Sequence, residues 1–286
     1  MTILFQAEAI VNVATTTVQA GPHQIGASVF GGGSPVVVME PAFGGDARSW
    51  RPIAEAVARH TTVVTYDRVP YGGSSAATDA RTPHDVARDL RAVLRELGVT
   101  GSLVLVGHSL GGIYARAYAA SYPGEVAGMV LVDSSHEDQR RATRGHMPWK
   151  WQLMDLLTTP SILLETRASR NGADRRSLIR EFRSFARLTE ADRLLSEGAL
   201  GEKPLVVITR GRDASVGDRG FWQIWHDLHA DLARLSANSS HVISKNPSHY
   251  LNECDPSLVI ASILRVVESV RLAAPLAPPT VPDDLV

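Results

Sequence analysis

Apolar residues in this chain follow two rhythms in alternation. Short, largely apolar runs occur at Val36 to Glu40, Thr62 to Tyr66, Leu103 to Val106, Val126 to Val132 and Leu205 to Thr209. Their length and β-branched content predict strands buried on both faces, as in a parallel sheet. Between them, apolar positions recur with helical spacing: Trp50, Ile53, Ala54 and Val57, then Val86, Leu90, Val93, Leu94 and Leu97, then Ile113, Ala117 and Tyr118. Asp46 stands where it can cap the first of these helices, Pro83 opens the second and Gly98 stops it. Ala14 to Val18 and Gln24 to Phe30, parted by Gly21-Pro22, predict an antiparallel hairpin ahead of the series. The alternation predicts an α/β protein with a mostly parallel, doubly wound sheet, whose functional groups gather at the carboxyl ends of the strands.

From about residue 137 to 202 the alternation lapses. The pattern there is helical, with Leu178, Phe182 and Phe185 on one face and Arg176, Arg180, Arg183 and Arg187 on others. This predicts a helical cap inserted after the strand that ends at Asp133. The chain then divides into a first core segment (1–136), the cap (137–202), a second core segment (203–273) and a Pro-rich tail (274–286) expected to be disordered or loosely packed. The second core segment carries a helix over Phe221 to Leu235, a short strand over His241 to Ile243 and a closing helix over Pro256 to Val270.

Composition narrows the function classes. An apolar content of 44% and a charged content of 21% describe an ordinary globular protein, and a net charge of -1 gives no whole-protein field for nucleic acid. The one cysteine, Cys254, excludes an intrachain disulfide framework and fits a reducing compartment. No basic region followed by an apolar core opens the chain, and no apolar run reaches the roughly 20 residues of a membrane span. These features set a cytoplasmic expectation.

The chemistry centres on Gly107-His108-Ser109-Leu110-Gly111, a Gly-x-Ser-x-Gly turn between a predicted strand and a predicted helix. Such a turn holds its serine exposed at a strand's carboxyl end, above the amino end of a helix. Serine needs a base to become a nucleophile, and the base needs an orienting acid. His249, in the loop between the last strand and the last helix, stands late in the chain, where this order of residues delivers the base. His108, His136 and His241 have weaker claims. Asp133 and Asp213 each follow a strand at the functional edge, and the residues alone admit either as the acid. Two backbone N–H groups are expected to form an oxyanion hole, one from Leu110 and one from Phe43 in the loop Pro41 to Gly45. No His-Glu-x-x-His or paired-cysteine spacing points to a metal, and Gly31-Gly32-Gly33 precedes a strand, so it is not a phosphate loop. Neither a cofactor nor a metal is expected.

Taken together, the loop Pro41 to Gly45, Tyr66-Asp67-Arg68 with Tyr71-Gly72, the Ser109 turn, Leu131 to Gln139 and His249 before a terminal helix resemble the α/β-hydrolases over nearly the whole chain. The commonest family pattern has His-Gly where this chain has Glu40-Pro41. Leu131-Val132-Asp133-Ser134-Ser135-His136-Glu137-Asp138-Gln139 resembles a bacterial subgroup, and that resemblance favours Asp133 as the acid, whereas the wider family more often uses the later position, Asp213.

Within the cap, the stretch from Gln139 to Glu197 holds eleven arginines and one lysine against seven carboxylates, together with Trp149, Trp151 and Met154 as candidate substrate-binding residues. An apolar inner face over Ser109 would exclude water and bind an acyl or aromatic group, and the arginines read either as a rim that attracts an anionic substrate or, preferred, as a solvated outer face. The resulting expectation is a serine hydrolase acting through an acyl-enzyme on a carboxylic ester, thioester or lactone, with a small acyl-bearing molecule as partner. Acyl transfer and a cofactor-free lyase or cyclase reaction share the site. A non-catalytic receptor that keeps the pocket is the reading from a different class.

Overall fold

The computed structural model describes residues 13–76, 80–146, 175–186, 193–213 and 215–278. Its centre is an eight-stranded sheet of order β1-β2-β4-β3-β5-β6-β7-β8. The strands are β1 (Val13–Ala20), β2 (His23–Phe30), β3 (Val36–Glu40), β4 (Val63–Tyr66), β5 (Leu103–His108), β6 (Val126–Val132), β7 (Leu205–Thr209) and β8 (Ser239–Ile243). β1 and β2 form the expected antiparallel hairpin, β2 joins β4 antiparallel, and every pairing from β4 onward is parallel. Strand alternation sends Val37, Met39, Val104, Val106, Val130 and Val132 to one apolar core and Val38, Leu105, Met129, Leu131 and Val207 to the other. Helices on both faces cover these cores, which is why the central strands read as unbroken apolar runs.

The flanking helices are α1 (Arg51–Val57), α2 (Pro83–Glu96), α3 (Leu110–Ser121), α4 (Gln139–Thr143), α5 (Arg175–Ala186), α6 (Arg219–Ala233), α7 (Leu251–Cys254) and α8 (Pro256–Leu272). Asp46 accepts from the Arg48 N–H and caps the 3-10 turn before α1, and Thr82 and Asp85 close a capping box on α2. α6 starts two residues before its expected start at Phe221, because Asp218 caps it. Among the described residues, no helix is long and apolar enough to cross a membrane. The start of the tail is held: Leu276 N–H donates to Asn238 Oδ1 at 2.9 Å and Arg265 donates to the Ala277 carbonyl, so the loose packing expected from Ala274 does not begin there.

The chain leaves β3 toward β4 on one side and returns through β5 on the other, so the sheet reverses its order between β3 and β5. Such a reversal opens a crevice at the carboxyl ends. Register pairs Glu40 with Gly107 and Gly107 with Leu131, which brings the loops after β3, β5 and β6 side by side. This approach requires glycine. A Cβ on Gly107 would lie 2.6 Å from the Gly111 carbonyl oxygen and the Gly112 Cα, and one on Gly111 would lie 2.4 Å from the Glu40 carbonyl oxygen.

At the end of β3 the Glu40 side chain is fully buried, accepting from the Tyr66 hydroxyl and lying 3.5 Å from the Arg68 guanidinium. Burial pushes its carboxyl up to about 7; the Arg68 charge and the Tyr66 hydrogen bond oppose this and fall short.

Two stability predictions follow. Gly107→Ala should lower unfolding stability by about 1–3 kcal/mol, through overpacking against fixed backbone; an unchanged urea midpoint would contradict the packing described. Because the folded Glu40 titrates above its unfolded value, its contribution is complete below about pH 4.5 and is lost as pH rises through about 7. Wild-type stability relative to Glu40→Gln should therefore fall by up to about 3 kcal/mol between pH 4.5 and pH 8 in urea titrations, and a difference independent of pH is the opposing result.

Candidate active site

Ser109 sits between β5 and α3 with φ 54° and ψ −121°, in the left-handed half of backbone space. A non-glycine residue stays there only when its surroundings over-determine it. Here they do: Ser109 N–H donates to the Val132 carbonyl at 3.1 Å, and its own carbonyl accepts from Gly112 at 3.0 Å and Ser135 at 2.9 Å. The serine backbone is thus tied to β6, to its own helix and to the loop after Asp133.

Asp133 follows β6 and is also held at positive φ, 39°, with its N–H on the Ile208 carbonyl at 2.7 Å. Its carboxylate is fully buried and accepts three hydrogen bonds. Oδ1 accepts from the Arg210 N–H at 3.2 Å and the Trp225 indole at 3.1 Å, while Oδ2 accepts from His249 Nδ1 at 2.6 Å and lies 3.3 Å from Arg210 Nε. Burial alone would raise its pKa; the His249 hydrogen bond and charge, followed by the Arg210 charge, outweigh burial and hold the carboxyl far below the usual range. An ionised Asp133 fixes the neutral imidazole proton on Nδ1 of His249 and leaves Nε2 as the acceptor. No hydrogen bond joins His249 to Ser109 among the described residues.

Asp213 lies elsewhere. It is half-buried, and its carboxylate accepts from the Ser215 N–H at 2.8 Å and the Ser215 hydroxyl at 2.6 Å. The structure brings His249 to Asp133 and does not bring it to Asp213. The residue after β7 that reaches the Asp133 carboxylate is instead Arg210, whose guanidinium lies 5.2 Å from the Trp222 ring and 5.3 Å from the Trp225 ring.

Several supports were not legible in advance. The Nε2–H of His108 donates to the His249 carbonyl at 2.7 Å, with the two rings 4.9 Å apart. Burial and the neighbouring His249 push its pKa down to about 3, so it is a neutral donor at ordinary pH. His229, pushed down to about 4 by burial, donates Nε2–H to the Ser134 carbonyl at 2.9 Å and accepts from the Thr209 hydroxyl at 2.6 Å. Buried Arg116 binds Ser134 Oγ, the Ser135 carbonyl and Glu137, each at 3.0 Å. The Leu131 to Gln139 stretch is therefore a knot that fixes the Asp133 backbone, built from polar residues whose partners lie in α3 and α6.

On the other side of Ser109, the amides of Phe43 and Leu110 have no acceptor among the described residues, and neither has that of Ala42. The Gly44 amide donates to Glu181 of α5 at 3.2 Å. The rings of Phe43 and Phe182 meet edge to face at 6.3 Å, while Leu110, Ile113, Tyr114 and Val86 pack with Phe43, Phe185 and Leu194. The expected apolar face of α5 is thus an apolar wall beside the elbow. Trp149, Trp151 and Met154 lie outside the described residues.

Comparison with known proteins bears on the family and the fold. A 25% identical relative, YqjL of Bacillus subtilis (strain 168), aligns over 247 residues, 86% of this chain and 89% of that protein. The (lyso)-N-acylphosphatidylethanolamine lipase of Mus musculus is 33% identical over 100 residues, 34% of this chain, and that alignment spans 29% of the mouse protein's length. A thermophilic esterase from Thermogutta terrifontis superposes with a TM-score of 0.65 at 22% identity, covering 91% of this chain and 99% of its own, which is a likeness of fold. The family model described as "alpha/beta hydrolase fold" matches residues 35–197, more than half of the chain. By that match and by its sheet, the chain belongs to the α/β-hydrolase fold family.

Proposed function

We propose that this protein is a cofactor-independent serine hydrolase acting on carboxylic esters, thioesters or lactones through an acyl-enzyme on Ser109. Family membership supports hydrolase activity, and the lipase name of the mouse relative points toward ester chemistry. One observation carries the reading: the 2.6 Å pair of His249 Nδ1 with a buried, ionised Asp133, on the loop beside a serine held in a strained elbow.

In this reading His249 Nε2 takes the Ser109 proton as Oγ attacks the carbonyl, then returns it to the leaving group. The Ser–His hydrogen bond is one that tightens when substrate arrives, as such bonds commonly do. Asp133 holds the imidazole and stabilises the imidazolium that forms. The Phe43 and Leu110 amides, the latter at the amino end of α3, receive the oxyanion. Water then repeats the cycle on the acyl-enzyme.

The wall of Phe43, Leu110, Ile113, Tyr114 and Phe185 favours an acyl group without charge. Arg68, a guanidinium close to that wall, already faces two carboxylates, Glu40 and Glu181, and offers no surplus charge to an anionic acyl chain.

Ser109→Ala and Asp133→Asn should each lower kcat on p-nitrophenyl esters by about 10³-fold or more, with Asp213→Asn within about twofold of wild type. Full turnover by Asp133→Asn with loss in Asp213→Asn would reverse the acid assignment. Among acyl groups of equal length, the neutral ester should exceed its carboxylate-ended counterpart in kcat/KM by about tenfold or more. A preference for the carboxylate would refute the neutral pocket.

A further inference from the structure

The loop after β3 is gripped by one buried guanidinium. Arg68, 2% exposed, donates from Nη1 to the Pro41 carbonyl at 2.7 Å and from Nη2 to the Ala42 carbonyl at 2.9 Å. A trans peptide unit is planar, and its N–H points opposite to its C=O. With the Ala42 carbonyl turned onto Arg68, the Phe43 N–H is turned to the far side; the Pro41 carbonyl does the same to the Ala42 N–H. Arg68 therefore sets the direction of the two loop amides that have no acceptor among the described residues.

Arg68 is in turn set by a residue 113 positions later. Glu181 of α5 accepts at Oε1 from Arg68 Nη2 at 2.8 Å, Arg68 Nε at 3.2 Å and the Tyr114 hydroxyl at 3.0 Å. Its Oε2 accepts from the Tyr71 hydroxyl at 2.5 Å and the Gly44 N–H at 3.2 Å. Five donors thus converge on one carboxylate, and one of them belongs to the loop itself. Gly44 stands at φ 63°, so the donor is presented by a left-handed turn that glycine favours. Leu178 and Ile179 pack on Tyr71 and Phe43 around this polar centre, and the Ser184 hydroxyl donates to the Arg81 carbonyl at 2.8 Å.

We propose that Glu181 is a positioning residue for oxyanion stabilisation. Its carboxylate locks Arg68 and the Gly44 amide, and through the Arg68 grip on the Pro41 and Ala42 carbonyls it aims the Phe43 amide into the space over Ser109. This rests on the serine-hydrolase reading. Glu40-Pro41 stands where the commonest family pattern has His-Gly, so the cap segment supplies, through Glu181 and Arg68, what the loop's own sequence lacks. A glutamine at 181 keeps one acceptor for Arg68 but turns an NH2 group toward two donors, the Tyr71 hydroxyl and the Gly44 N–H, and the loop loses its anchor.

The test pairs two readouts on the full chain carrying Glu181→Gln, with Arg68→Lys as a second variant that keeps the charge but cannot bridge both carbonyls and Glu181. Hydrogen–deuterium exchange should quicken about tenfold at the amides of residues 42–45, with β5 and β6 exchanging as in wild type. On a neutral p-nitrophenyl ester, kcat should fall about tenfold or more with KM within about threefold, because an oxyanion contact is made in the transition state. Unchanged exchange in the loop overturns the proposal, and so does quickened exchange with kcat within about twofold of wild type, the mark of a purely structural role. Should Glu181→Gln fail to fold, the same outcomes are read from Arg68→Lys. Wild-type protein that turns over no ester overturns the serine-hydrolase reading and the proposal with it, whatever the exchange shows.

Discussion

The close approach of three backbones at the end of β5 is the constraint from which the rest of the site follows. Only glycine at 107 and 111 lets the start of α3 fold back on its own strand and under the Glu40 carbonyl. That packing forces Ser109 into a left-handed conformation, which three backbone hydrogen bonds then stabilise. The local strain is offset by those bonds and by the sheet on either side, consistent with strain that is tolerated where geometry is needed. Because the elbow lies at the reversal of strand order, the loops after β3 and β6 are its immediate neighbours, so one backbone constraint gathers Asp133, the Phe43 loop and Ser109 at one edge.

Two buried charge systems flank this elbow, and they differ in kind. Asp133 is a single carboxylate with three hydrogen-bond donors and the Arg210 charge around it, and burial is overcome: it stays ionised and pins the His249 tautomer. The Glu40, Arg68 and Glu181 cluster sets two carboxylates against one guanidinium, and burial wins at Glu40, whose carboxyl rises to about 7. The first system suits a group that must remain charged beside an imidazole; the second suits scaffolding, since its cation is satisfied on every side.

What the sequence made legible was what local pattern encodes. The strands and helices of the core follow from apolar spacing, and Ser109 stands out because an elbow is a short contiguous motif. His249 was readable from chain order. The choice between Asp133 and Asp213 was not, because both end a strand; what separates them in space is Trp225, Arg210 and the loop that carries His249, contributed by three distant segments. His108 hid for a related reason, its partner being a backbone carbonyl 141 residues away. Glu181 was the least legible of all. On its amphipathic helix it reads as one more charged position, and only the fold shows that Arg68, Tyr71, Tyr114 and Gly44 converge on it.

The account's central claim is that Ser109 is a nucleophile poised beside His249. The most direct measurement is peptide mass mapping after brief exposure of the folded protein to a fluorophosphonate. The predicted result is a single phosphonyl adduct on the peptide containing Ser109, formed with a rate that follows deprotonation of one imidazole and absent from Ser109→Ala. Intact folded protein that takes up no adduct, or a Ser109→Ala variant labelled as fast as wild type, would contradict it.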